Sequence, residues 1–507
     1  LEGQIKLKLN PVGAAGALLV GVLAVGTFAA GTHFGTAQTA GHNLYQPPPP
    51  SAPASAVILA SAARPGQASS GQVTQEADGP GTSHDSAGAG DSGGPGDTST
   101  GFQADTSPAA TFDDVYQLIE RNFVDPLPTD TQMAHGAATA MLASLQDPDS
   151  RFLEAPEVSE LDSEAKGQYR GIGAALAVRR LTHPKVGEVP AYTEYRLVLV
   201  APLPGSPAEK AGLQPGDMVT TINGQWIYND SYVYAQTKAL KAVQDDPVTF
   251  NKMLTALQKK IDGSLSIAQA QTKLADPAAK TIVLTVTRAG QPQPLSVSLD
   301  TAAPTVVSPI TARSLPGGIG YIKIAQFTPG ADKDFETALA GFGNAPKGLV
   351  LDLRNSPGGM LDVGAAIASQ ISSAPALGYL ETKGKKVQPI SDTPSAAVSC
   401  PIVVLVNGGT ANTAELLASA LQSKGAKLVG STTFGDASDV KLITLHDGSG
   451  FTMTVGKLMT AAHGDFGGLG IKPDVVLPNT SGDAPLDRAV DVLSGRVARV
   501  PSAHSLL

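Results

Sequence analysis

Between an apolar strand at 401–406 and a helix at 416–422 the chain reads Asn407-Gly408-Gly409-Thr410-Ala411-Asn412-Thr413-Ala414-Glu415. A hydroxyl at such a junction can attack a carbonyl if a neighbouring base takes its proton. Thr410 and Thr413 supply hydroxyls here, and Asp436 and Lys441 are the bases downstream. Both threonines have plainer roles, as helix caps or turn hydrogen-bonders. Strand alternation turns Lys441 away from the face shared by Asp436 and Val440. The Asn412 amide is neither nucleophile nor base. His446, Asp447, His463 and Asp465 lack the spacing of a metal site and read as solvated loop residues. No metal or cofactor is expected. Asp352, Arg354 and Asp436 read as structural hydrogen-bonding or ion-pairing groups.

The elements that must position these residues alternate between strand and helix from 318 to about 478, as α/β folds do. A strand over 348–354, Gly348-Leu349-Val350-Leu351-Asp352-Leu353-Arg354, enters the turn Asn355-Ser356-Pro357-Gly358-Gly359, and a helix follows over 361–371. Further on, a strand at 427–430 leads into Ser431-Thr432-Thr433-Phe434-Gly435-Asp436. Upstream, Pro204-Gly205-Ser206-Pro207-Ala208-Glu209-Lys210-Ala211-Gly212-Leu213-Gln214-Pro215-Gly216-Asp217 sets turns around a short helix. Ile222-Asn223-Gly224-Gln225 then reads as strand and turn. The fold class expected is a multidomain α/β (α+β) chain. It comprises an N-terminal helical segment, a second module with a helical insertion, and an α/β core with ββα units.

These strings resemble the C-terminal processing (tail-specific) serine peptidases, which carry a PDZ module. Leu351-Asp352-Leu353-Arg354-Asn355-Ser356-Pro357-Gly358-Gly359 is very similar to that family's Leu-Asp-Leu-Arg-x-Asn-Pro-Gly-Gly. Leu145-Gln146-Asp147-Pro148-Asp149-Ser150-Arg151-Phe152, the PDZ string and Gly470-Ile471-Lys472-Pro473-Asp474-Val475 also match, so the resemblance runs from about 112 to 478. It implies a serine nucleophile at position 412, a lysine base at 436 and an orienting glutamine at 440. This chain has Asn412, Asp436 and Val440 there. The oxyanion-binding amides implied are those of Gly358, Gly359 and Thr413. A peptide C-terminus would be captured at Gly171-Ile172-Gly173, because PDZ modules add a chain end as a strand and hold its carboxylate with backbone N–H groups. The resemblance therefore implies a peptidase scaffold without its dyad, binding a protein or peptide partner. The alternatives are an active endopeptidase with a rearranged nucleophile (Thr413, Thr410 or Lys441) and a structural subunit of an envelope assembly. A homo-oligomer is left open.

Residues 12–30 form an uncharged run of about the length that crosses a bilayer, with Lys6 and Lys8 before it and no Lys or Arg until Arg64. That asymmetry keeps the N-terminus cytoplasmic. The expectation is a single-pass anchor in a bacterial inner membrane with the body in the periplasm; a cleaved signal segment is the alternative. The net charge of −9 argues against a nucleic-acid partner. The chain divides into 1–34 (anchor or signal), 35–110 (a Pro/Gly/Ser-rich tether too polar to fold) and 111–165 (helical, with Thr111 as N-cap and a second helix near 131–144). Residues 166–300 form the PDZ-like domain with an insertion at about 227–280, followed by the core (301–480) and a tail (481–507). The single cysteine, Cys400, reads as a buried, inert thiol.

Overall fold

The computed structural model describes residues 107–495, apart from breaks at 187–190, 277, 302–303, 344–345, 374–375, 394–397 and 478–482, together with the strand Ser55–Ala56. The candidate membrane segment and nearly all of the tether lie outside the described residues, as do residues 496–507. Among the described residues no helix is long and apolar enough to cross a membrane.

The first helix, Pro108–Asn122, starts earlier than expected. Ser107, not Thr111, is its N-cap, accepting the Ala110 amide at 3.2 Å, and Pro108 takes the first position. A missing N–H is harmless there, because that group has no helical partner. The second helix is Asp130–Ala143.

The PDZ-like sheet runs in the order Ser55–Ala56, Ala174–His183, Tyr192–Pro202, Met218–Ile222, Thr281–Thr287, Leu295–Asp300. Its charged staple is Asp217, fully buried and bound by Arg288 at 2.7 Å; a buried carboxylate persists only when paired in this way. Three helices, Asp230–Ala242, Pro247–Asp262 and Ile267–Ala275, fill the stretch read as an insertion. The third buries Ala270 and Leu274 in the domain's own core. It is therefore a wall of the domain, and the surplus is the first two helices. Tyr232 of the first packs with Trp226, itself against Tyr228, both of which precede it in the chain, and the Lys260 ammonium of the second stands 4.5 Å from the Tyr232 ring.

The core has a six-stranded sheet, ordered Ile310–Leu315, Ile319–Ile324, Gly348–Asp352, Ile402–Val406, Lys427–Gly430, Val475–Val476. All but the first pair are parallel. Its central strands, Gly348–Asp352 and Ile402–Val406, are almost wholly apolar because both their faces are covered. Ile322, Leu349, Leu351, Val404 and Val406 face the helices Ala331–Ala340, Leu361–Ile371 and Thr413–Ser423. Tyr321, Val350, Val403 and Leu405 face Ala484–Leu493. That last helix lies in the stretch read as a tail, and Leu486 and Ala489 bury it on the sheet. A second sheet joins Lys386–Ile390, Gly378–Thr382, Gly450–Thr460 and Ser438–Thr444. Cys400 is only partly buried, at the mouth of the Ile402–Val406 strand, so the expectation of a buried thiol is corrected. The burial that remains pushes its thiol pKa up.

Two features bring the domains together at the candidate site. The PDZ-like sheet lays Ala175, Ala177, Val198 and Val200 on Ala411 and Phe434 of the core. Arg179 reaches from the same sheet to the Phe434 carbonyl at 3.1 Å, its guanidinium 4.5 Å from the Phe434 ring.

Candidate functional site

Asn412 occupies the junction between the Ile402–Val406 strand and the Thr413–Ser423 helix with φ 50 and ψ −118. This backbone is sparsely populated outside glycine and costs about 1–3 kcal/mol, so the surroundings must enforce it. They do so through Glu415. Its carboxylate accepts the Asn412 amide at 3.0 Å, the Asp436 amide at 2.8 Å, the Gly435 amide at 2.7 Å and the Thr433 hydroxyl. One buried carboxylate therefore ties the helix start to the 433–436 loop. Burial pushes its pKa up to about 7, against the pull of those four donors. Sequence reasoning gave Glu415 no role. The signal was available, since a Glu three residues into a helix commonly turns back to its N-terminus.

The Asn412 side chain points at the 436–438 backbone. Its Nδ2 donates to Asp436 Oδ2 at 3.0 Å and to the Ser438 carbonyl at 2.8 Å. Asp436 is 1% exposed and also accepts the Ser438 amide at 3.1 Å. Positions 412 and 436 thus stand within hydrogen-bond range, the separation a nucleophile and its base require. Val440 is buried two residues beyond Ser438.

Gly358 and Gly359 lie alongside, with φ of 99 and 134. A Cβ on Gly358 would stand 2.9 Å from Asn412 Cβ and 3.1 Å from the Thr413 nitrogen. Only a glycine lets the turn approach the helix start this closely. The Ala411 amide donates to the Ser356 carbonyl at 2.9 Å and the Phe327 amide to the Gly358 carbonyl at 3.0 Å, fixing the turn from both sides. Gly358, Gly359, Asn412, Thr413 and Asp436 therefore form one constellation, buried except at the half-buried Gly359.

The fallback nucleophiles are placed otherwise. The Thr413 hydroxyl donates to the Gly359 carbonyl at 2.7 Å and, among the described residues, its one other hydrogen-bond contact is Asn412 Oδ1 at 3.3 Å. Among the described residues no base is hydrogen-bonded to it. The Thr410 hydroxyl donates to the Leu353 carbonyl at 2.8 Å and accepts the Asn407 amide at 3.0 Å, as a turn residue does. Lys441 pairs with Asp439 at 3.4 Å. Asp352 and Arg354 form a bidentate pair that also holds the Tyr321 hydroxyl, a structural role.

The second half of the site is the groove. Its edge is the strand Ala174–His183 and its wall the helix Ile267–Ala275. Ser55–Ala56 pairs antiparallel on that edge, Ser55 opposite Val178 and Ala56 opposite Ala177. A strand added with this polarity runs toward Gly171-Ile172-Gly173. Gly171 and Gly173 have φ of 63 and 66. The Ile172 amide donates to the Leu274 carbonyl at 3.4 Å, so in this structure the loop is tied to the end of the wall helix.

Comparison with known proteins gives consistent matches. Residues 318–477 match the profile of "Peptidase family S41" and residues 198–236 that of "PDZ domain". The chain is 30% identical to the carboxyl-terminal-processing protease of Synechocystis, over 77% of this chain and 83% of that protein. It is also 30% identical to the chloroplastic C-terminal processing peptidase of Tetradesmus obliquus, over 74% and 78%. The solved photosystem II D1 C-terminal processing protease superposes with a TM-score of 0.51 at 25% identity, covering 72% of this chain and 86% of that one.

Proposed function

The chain belongs to the carboxyl-terminal-processing peptidases of family S41, and from that premise we propose that it is a member without peptidase chemistry that binds protein or peptide termini. The observation that carries this reading is the Asn412–Asp436 hydrogen bond of 3.0 Å. An amide donating to a carboxylate occupies the two positions where the family's nucleophile and base belong. A neutral lysine can draw a proton from a serine hydroxyl; an amide has no equivalent electron pair to offer a carbonyl. The PDZ-like groove, with an edge strand that accepts an added strand, is the binding element. The tether and uncharged N-terminal run fit a body held in the periplasm by one span of the bacterial inner membrane.

Purified chain incubated with an unstructured polypeptide and with a fluorophosphonate probe is expected to leave the polypeptide intact and take up no probe over hours. Time-dependent cleavage that disappears in Thr413→Ala would instead establish a threonine nucleophile and overturn the proposal.

A further inference from the structure

A cleft of about 440 Å³ opens at the loop end of the groove. Ile172, Leu176 and Leu274 form its apolar side, and the helix Ala155–Ala165 brings Glu157, Glu160 and Glu164 to the other. Two of these carboxylates already have partners. Glu157 binds Arg151 at 3.2 Å and accepts the Thr272 hydroxyl at 2.7 Å. Glu160 faces the Arg170 guanidinium at 3.9 Å and accepts the Arg170 amide at 3.2 Å. The Glu164 side chain makes no hydrogen bond or salt bridge among the described residues, its nearest opposing charge being the Arg151 guanidinium already paired with Glu157, and it lines the cleft. Lys273 and Asp276, the other charged groups of the lining, are exposed to solvent.

A second observation comes from another residue of the lining. Gln326 is 1% exposed and lines the same cleft; its amide meets the Tyr169 hydroxyl, and its Oε1 accepts no hydrogen bond among the described residues. A buried acceptor with no partner is uncommon in folded proteins and calls for a group that supplies one. The cleft therefore combines an apolar side, an amide oxygen with spare acceptor capacity and a carboxyl group without a salt bridge of its own. An apolar stem ending in N–H donors and a positive charge meets all three.

We propose that this cleft takes a lysine or arginine side chain from one of the last three residues of a bound chain terminus, with Glu164 as charge partner and Gln326 Oε1 as acceptor. The proposal rests on the reading of the groove as a peptide site and names its specificity. Burial, reinforced by Glu160 and only partly opposed by the Arg151 guanidinium, pushes the Glu164 pKa up to about 8. A cation entering the cleft reverses that imbalance.

The test uses the whole chain and fluorescence anisotropy. Six labelled peptides with apolar ends and free carboxylates carry lysine or norleucine at the last, second-last or third-last position. One lysine peptide is expected to bind about tenfold tighter than its norleucine counterpart, the order expected for one desolvated charge pair. Glu164→Gln is expected to reduce that ratio to less than about threefold, and Gln326→Leu to reduce it in part. Equal affinity of lysine and norleucine peptides at all three positions overturns the specificity and leaves the groove reading intact. No binding by any of the six, or binding unaffected by C-terminal amidation, overturns the groove reading and this inference with it.

Discussion

Asn412→Ser, Asp436→Lys and Val440→Gln, introduced together, are expected to convert a chain that leaves an unstructured polypeptide intact into one that cuts it and is labelled by a fluorophosphonate. The argument is geometric. The side chains at 412 and 436 already meet at 3.0 Å, on a backbone at 412 held at φ 50 and ψ −118. A lysine at a position only 1% exposed would lose much of its pKa to desolvation and be able to act as a base. The Gly358 turn is already against the Thr413 nitrogen, where amides can face a developing oxyanion. Removing a catalytic nucleophile costs a serine protease about six orders of magnitude. A restored but unrefined dyad is expected to recover roughly two to three of these, measured as initial cleavage rate against the wild type. Asn412→Ser alone is expected to stay inert, because Asp436 cannot replace the neutral amine. A triple variant that melts like the wild type, binds peptide and still cleaves nothing would refute the claim that the peptidase geometry survives around Asn412.

Glu415→Ala is expected to lower the stability of the core by about 3–5 kcal/mol, visible as a large fall in urea midpoint by circular dichroism. The substitution strands the amides of Asn412, Gly435 and Asp436 and the Thr433 hydroxyl in a site with no solvent. It also releases the backbone conformation of Asn412. The same residue gives the core a pH dependence. Its folded pKa is raised from 4.5 to about 7, chiefly by burial. The folded chain therefore holds a proton that the unfolded chain has released between those values. Its contribution is fully present below pH 4.5 and is lost as pH rises through about 7, amounting to about 3 kcal/mol. The wild-type urea midpoint should fall between pH 5 and pH 8, and Glu415→Gln should flatten the profile. A midpoint that rises with pH across that window, with Glu415→Gln unchanged from wild type, would show that the carboxylate stays ionised throughout.

The strings with turn glycines and prolines were the legible part of this protein. Leu351-Asp352-Leu353-Arg354-Asn355-Ser356-Pro357-Gly358-Gly359 encodes a strand, a bidentate ion pair and a turn in consecutive residues, so its geometry is local. The 201–224 segment is legible for the same reason. The helix start at Ser107 was missed because Ser107-Pro108 and Thr111 offer competing caps, and the proline decides between them. The groove wall was misread as insertion because the Ile267–Ala275 helix shows its role only through Ala270 and Leu274 packing on distant strands.

By itself the sequence determined that this is a two-part chain with a PDZ-like module and an α/β core, and that asparagine, aspartate and valine stand at 412, 436 and 440. Those are matters of local pattern and residue identity. Only the tertiary structure decided that Asn412 and Asp436 touch, that Glu415 binds both segments, and that Glu164 and Gln326 line one cleft. Each of these pairs is far apart along the chain or on separate elements. Hydrogen bonds made across folded segments leave no periodic trace in the sequence, because their partners are selected by packing.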